Sequence, residues 1–109
     1  MYVPEQGDIV FLDFDPSAGK EITKRRPALV LSKRIFNDTT GFVVVAAITN
    51  TSIRFKMQQA LPTGLKTTGS VVIPQMKSID FVARNVEFVE KLDADSLKTI
   101  GEMARLILS

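Results

Sequence analysis

The sequence predicts a mainly β domain closed by one C-terminal α-helix. Two observations carry this. Short runs rich in Val, Ile and Phe alternate with Gly, Pro, Asn and Asp along positions 7–91, the pattern of many brief strands separated by turns. From Asp93 onward the apolar residues Leu97, Ile100, Met103, Ala104 and Ile107 recur at spacings of three and four, which places them on one face of a helix. At 109 residues, 45% of them hydrophobic and 24% charged, the chain fits one small globular domain spanning 1–109. It shows no repeat, low-complexity tract or linker. A small barrel is the natural closure, because curling a sheet removes most exposed edges.

The elements follow in order. Gly7-Asp8 is a turn signal, and Ile9-Val10-Phe11-Leu12-Asp13-Phe14 is the first strand. Asp15-Pro16-Ser17-Ala18-Gly19 ends it with turn chemistry. A basic loop of roughly ten residues leads to Arg26-Pro27, longer than most connections in compact domains and so more often functional. Pro27 fixes its own φ, holds Arg26 extended and lacks an N–H, which suits the first position of a strand. Ala28-Leu29-Val30-Leu31-Ser32 then reads as a strand buried on both faces. Lys33 to Thr40 is read as a polar connection. Gly41 to Thr49 is the strongest strand in the chain. Because the connection is short, this third strand should pair antiparallel with the second, bringing Arg26 and Thr49 to the same edge of the sheet.

Phe55 to Leu61 is a weaker strand with Arg54 and Lys56 facing solvent, followed by a polar connection from Pro62 to Gly69. Ser70 to Ile73 is a strand closed by Pro74. Further short segments run from Gln75 to Asp80 and from Phe81 to Asn85. Val86-Glu87-Phe88-Val89-Glu90 alternates apolar and charged residues, as a half-exposed strand does. Asp93 is placed to cap the helix, Leu92 to staple onto Leu97, Asp95 to meet the helix N-terminus and Arg105 its last turn. Gly101 weakens the helix by about 1 kcal/mol relative to alanine and is read as allowing close packing on the sheet.

Charge is distributed unevenly. The net charge is only +2, yet six basic residues (Lys20, Lys24, Arg25, Arg26, Lys33 and Arg34) stand against Glu21 alone between positions 20 and 34. Acids gather at Asp8, Asp13 and Asp15 and from Glu87 to Asp95. A basic face with an acidic opposite end is the footprint of a polyanion binder; a solvated loop of scattered lysines is the alternative. No cysteine and no histidine are present. That excludes disulfides, thiol nucleophiles, histidine acid–base chemistry and the usual zinc sites. No apolar run approaches the ~20 residues of a membrane span, and no signal-peptide pattern opens the chain, so a cytoplasmic protein with no membrane partner is expected. Arg26, at the mouth of a rigid strand, presents a planar fork suited to phosphate. On pattern alone it has a second reading, as the ion-pair partner of Asp13 or Asp80. Thr49 has a second reading as a strand-terminal residue, and Asp80 is better read as a turn or cap than as a catalyst.

The residues so assembled resemble a known family. Gly7-Asp8-Ile9-Val10, Asp13-Phe14-Asp15-Pro16, Gly19-Lys20-Glu21, Arg26-Pro27-Ala28-Leu29-Val30-Leu31, Ala47-Ile48-Thr49 and Gln75-Met76-Lys77-Ser78-Ile79-Asp80 stand in the order seen in MazF/PemK-type toxins, and the C-terminal helix matches too. The resemblance covers essentially the whole chain. It implies an SH3-like small β-barrel of the CcdB/MazF type, assembled as a homodimer. It also implies a toxin of a type II toxin–antitoxin system: a sequence-specific endoribonuclease cleaving single-stranded RNA, mainly mRNA, without metal or other cofactor. The partner implied is a cognate antitoxin whose acidic, partly disordered tail masks the RNA groove. The family's catalytic arginine falls on Arg26 and its threonine on Thr49; Glu21 and Gln75 fall on the glutamate of the first loop and the glutamine before Lys-Ser-Ile-Asp. Glu21 is the candidate base. The expected RNA-binding residues are Lys20, Lys24, Arg25, Asn50, Arg54, Lys56, Gln75 and Lys77. Lys20, where relatives often carry serine, and Pro74, where many carry another residue, are departures that bear on which RNA sequence is recognised. Two other classes stay open from the residues: a CcdB-type gyrase poison acting by protein contacts, and a noncatalytic SH3-like module. Against the latter, the chain has no Trp and one Tyr to line a peptide groove.

Overall fold

A computed structural model of the chain describes residues 1–14, 25–50 and 56–108. Seven strands and two helices follow one another: β1 (Asp8–Asp13), β2 (Arg25–Val30), α1 (Arg34–Thr40), β3 (Phe42–Thr49), β4 (Gln58–Ala60), β5 (Ser70–Val72), a 3-10 turn (Ile73–Gln75), β6 (Lys77–Asp80), β7 (Glu87–Lys91) and α2 (Ala94–Leu108). The strands form one antiparallel sheet in the order β4-β5-β3-β2-β1-β7, with β6 continuing beside β5 along the edge of β3. Among the described residues this path is open: no backbone ladder joins β7 to β4. The mainly β architecture with a C-terminal helix is as expected, but ladder pairing does not close it.

Strand alternation sorts the core into two layers. On one face Ile9, Leu29, Ala46, Ile48, Val71 and Ile73 pack with Leu92 and with Ile100 of α2. On the other, Val10, Leu12, Ala28, Val30, Val43 and Val45 pack with Ile79 and Phe81. Because β2 contributes Leu29 to one layer and Val30 to the other, the apolar run is buried on both sides, as its composition predicts. Helix α2 begins as its sequence directs: the Asp93 carboxylate accepts the backbone N–H of Ser96 at 2.9 Å. That bond, first among its causes, holds the Asp93 carboxyl below the usual carboxylate range.

Two readings of the sequence are corrected here. The polar stretch 33–40 is not a connection but contains α1, held by buried Asn37, whose side-chain amide donates to the carbonyl of Pro4 at 2.9 Å and accepts the Ser32 hydroxyl at 2.6 Å. A polar residue marks its inner face, so an apolar-periodicity argument misses it. Gly101 does not permit close packing: a Cβ there would meet nothing within 4 Å. It lines a groove of about 500 Å³ between α2 and the sheet, with Leu31, Met76 and Leu97. The segment 81–85 forms turns, and Asp80 is their cap, as the sequence suggests, its carboxylate accepting the N–H groups of Val82 and Ala83.

Candidate active site

The register of β2 on β3 decides where the site lies. Ala28 pairs with Ala47, Leu29 with Ala46 and Val30 with Val45; continued two residues along both strands, the same register sets Arg26 opposite Thr49. Arg26 also pairs with Leu12 on β1, and Thr49 with Ser70 on β5, which in turn pairs with Ala60 on β4. Leu12 and Arg26 thus stand in one transverse row and Thr49, Ser70 and Ala60 in another, and the β2–β3 register, whose ladder ends at Ala28 and Ala47, lines the two rows up on one face by alternation. Neighbours in such a row have Cβ atoms roughly 5 Å apart. The edge that the sequence assigns to Arg26 and Thr49 is therefore shared.

Two adjacent arginines meet different fates. Arg25 donates to Asp13 at 3.2 Å, to Glu87 at 3.3 Å and to the carbonyl of Phe11 at 3.4 Å. Asn85 and then Arg25 hold the Asp13 carboxyl below its ordinary range, through hydrogen bonds. Arg26 is exposed, and among the described residues it pairs with no carboxylate. Asp13 belongs to Arg25, and Asp80 caps its turn, so neither structural partner that the sequence offered to Arg26 takes it.

Thr49 is half-buried and Asn50 exposed. The Asn50 side chain accepts the Thr68 hydroxyl at 3.1 Å. Gly69, at φ +119°, lies so close to the end of β3 that a Cβ there would stand 2.4 Å from the carbonyl oxygen of Thr49, a contact only glycine permits. Beside Thr49 across the β3–β5 ladder, buried Ser70 accepts the side-chain N–H of buried Gln58 at 2.7 Å. This hydroxyl–amide pair was not read from the sequence; its one signal is a polar side chain ending each of two short strands.

The remaining candidates spread outward. Lys77, on the same face as Thr49 but four residues back along β3, donates to the carbonyl of Phe14 at 3.3 Å and lies 5.1 Å over its ring. Gln75 is exposed in the 3-10 turn, and exposed Lys56 precedes β4 at the Gln58 end, which abuts that turn through Val72. Lys20, Glu21, Lys24 and Arg54 lie outside the described residues. The structure thus brings Arg26, Thr49 and Asn50 to one edge of the sheet, leaves Lys77, Gln75 and Lys56 exposed on neighbouring elements, and ties Arg25 into ion pairs.

Comparison with known proteins identifies the family. A 37% identity over 83 residues, 76% of this chain and 74% of the relative, links it to the endoribonuclease toxin MazF of Escherichia coli. Endoribonuclease EndoA of Bacillus subtilis is 26% identical over 112 residues, 98% of this chain and 96% of the relative. Among solved structures, a MazE–MazF crystal structure from Deinococcus radiodurans superposes with a TM-score of 0.89 at 33% identity, covering 99% of this chain and 97% of that one. Residues 5–108 match the model of the PemK-like, MazF-like toxins of type II toxin–antitoxin systems, and the chain belongs to that family.

Proposed function

We propose that the rim around Arg26 and Thr49 is the catalytic surface of an endoribonuclease toxin, cleaving single-stranded RNA at a preferred sequence without a metal ion. The observation that carries this is the shared edge: a guanidinium with no carboxylate partner among the described residues, on the strand next to one that ends in a hydroxyl, at the open end of a rigid sheet. The relatives named above are endoribonucleases, which favours this reading over a gyrase poison.

The chemistry uses the substrate's own 2′-oxygen. It attacks the adjacent phosphorus as its proton leaves to a base, the bond from phosphorus to the 5′-oxygen breaks, and that oxygen takes up a proton. The products are a 2′,3′-cyclic phosphate and a 5′-hydroxyl. Arg26 meets the charge that develops on the non-bridging oxygens, where a fixed cation helps most, and supplies the proton to the leaving oxygen. A guanidinium carries its full complement of protons and has no acceptor, which disfavours Arg26 as the base. Thr49 donates its hydroxyl to the same phosphate. Glu21, the one carboxylate of the basic loop, is assigned to proton removal. Asn50, Lys56, Gln75 and Lys77 flank this point and, with Lys20, Lys24 and Arg54, are assigned to the RNA strand. Arg25, held by Asp13 and Glu87, serves it by fixing the β1–β2 end.

Three further parts belong to the same reading. The sheet curls into an SH3-like barrel. A second copy covers exposed Ile35 and Phe36 of α1 and Phe42 at the start of β3. A cognate antitoxin lays an acidic tail on the basic rim in the cytoplasm; no helix among the described residues is long and apolar enough to cross a membrane. The test is to incubate the purified protein with a mixed RNA pool in excess chelator and map the ends. Cuts at one short motif, bearing cyclic phosphate and 5′-hydroxyl and blocked by 2′-deoxy substitution, are expected. Intact RNA, or cleavage only with added metal, overturns the assignment.

A further inference from the structure

The two ends of the open strand path meet through one side chain. Glu90 lies on β7, the edge beside β1, where it pairs with Ile9. Its carboxylate reaches the loop between β4 and β5, at the opposite edge. One oxygen accepts the backbone N–H of Lys66 at 3.1 Å; the other accepts the backbone N–H and the hydroxyl of Thr67, both at 2.8 Å. These bonds outweigh the desolvation that opposes them and hold the Glu90 carboxyl below its ordinary range. A carboxylate accepting three hydrogen bonds is a strong local tie.

The residues that follow in that loop are those seated on the rim. Thr68 donates to Asn50, Gly69 abuts the carbonyl of Thr49, and the carbonyl of Gly69 accepts the N–H of Leu61 at 2.9 Å. Only Thr68 separates the clamped Thr67 from Gly69. Leu65, earlier in the loop, packs against the first core layer.

We propose that Glu90 is a positioning residue: by clamping the 66–67 backbone it presses Thr68 and Gly69 onto the end of β3 and so fixes Thr49 and Asn50 relative to Arg26. Its catalytic consequence rests on the reading of that rim as the active surface. Glu90 touches no substrate; it acts through the loop. Displacement of a reacting group by about 1 Å can cost on the order of 100-fold in rate, so a loosened clamp shows in turnover before it shows in binding.

The test uses the full-length protein, with Glu90→Ala and Glu90→Gln. In Glu90→Ala the amide resonances of Thr49 and Asn50 should shift along with those of Lys66 to Gly69, and kcat on a single-stranded oligonucleotide should fall about tenfold or more with KM within about twofold. Glu90→Gln keeps an acceptor for Thr67 and should recover part of both. Thr67→Ala, which leaves the Glu90 backbone bonds in place, serves if Glu90→Ala fails to fold, and should move the same resonances less. Resonance shifts confined to positions 62–68, with Thr49 and Asn50 unmoved, overturn the clamp whatever the activity. A lowered melting temperature with wild-type kcat leaves Glu90 merely structural and overturns it as well. Failure of the wild type to cut RNA would instead strike the nuclease reading, while the resonance test of the clamp still stands.

Discussion

The two ends of β1 are both polar and behave in opposite ways. At its start, Asp8 is buried, and its carboxylate accepts the Tyr2 hydroxyl, the backbone N–H of Glu5 at 3.0 Å and the Lys91 ammonium at 2.7 Å. Lys91 also pairs with Glu5 at 3.7 Å, and Glu5 with Arg34 at 3.5 Å. At its far end Arg25, though exposed, is paired with Asp13 and Glu87, whereas its neighbour Arg26, exposed too, has no described carboxylate beside it. A polar group enclosed by partners holds elements together; one left facing water beside a hydroxyl has capacity for a ligand. The difference between Arg25 and Arg26 is a matter of strand alternation. One residue turns toward the acids of β1 and β7, the next toward the row of Thr49.

Substitutions can break this contrast at either end. Arg26→Ala should lower cleavage by about 1,000-fold, the scale of losing a charged transition-state donor, measured as kcat/KM on a single-stranded oligonucleotide. Its unfolding free energy should stay within about 0.5 kcal/mol of wild type in a denaturant titration, because the side chain is exposed. Asp8→Ala should do the reverse. It leaves Tyr2 and Lys91 without their acceptor and should cost about 3 kcal/mol of stability, with activity per folded molecule unchanged.

Thr49→Val keeps the strand shape and removes the hydroxyl. A loss of about 10- to 100-fold in kcat is expected, with little change in melting temperature, since a β-branched residue is retained. The smallest effect concerns Asp13. Its folded pKa is depressed, first by Asn85 and then by Arg25. Unfolding below the usual carboxylate range therefore takes up a proton, so its contribution is present at neutral pH and fades as pH falls through the lowered folded value. Wild type and Asp13→Asn should differ in melting temperature at pH 7 and converge as the pH falls through that lowered folded value. A difference that persists in acid would place the stabilisation elsewhere.

Much of this contrast was legible in the sequence. Pro27 announced β2 but not its start, since pairing with β1 already begins at Arg25, and the short route to β3 implied the antiparallel pairing that brings Arg26 and Thr49 to one edge. Apolar periodicity located α2, and the unbroken apolar run from Ala28 marked a strand buried on both faces. What stayed hidden depended on which polar groups meet across long separations. Nothing local ties Asp13 to Arg25 rather than Arg26, because one step of strand register exchanges the two. Glu90 is 23 residues from Thr67, and their bond reflects the curl of the sheet, which no local pattern encodes. Helix α1 escaped because its inner residue is Asn37. The ladder closure implied by a barrel is absent among the described strands, and the Glu90 bonds bridge that gap instead.

The most direct measurement records the side-chain Nε–H resonances of Arg25 and Arg26 as the protein is saturated with an uncleavable oligonucleotide, 2′-deoxy at the scissile position. A guanidinium that grips phosphate should shift and exchange more slowly with solvent. The account predicts that Arg26 does both while Arg25 keeps the signature of its ion pairs. An Arg26 resonance unchanged at saturation, with Arg25 moving in its place, would contradict it.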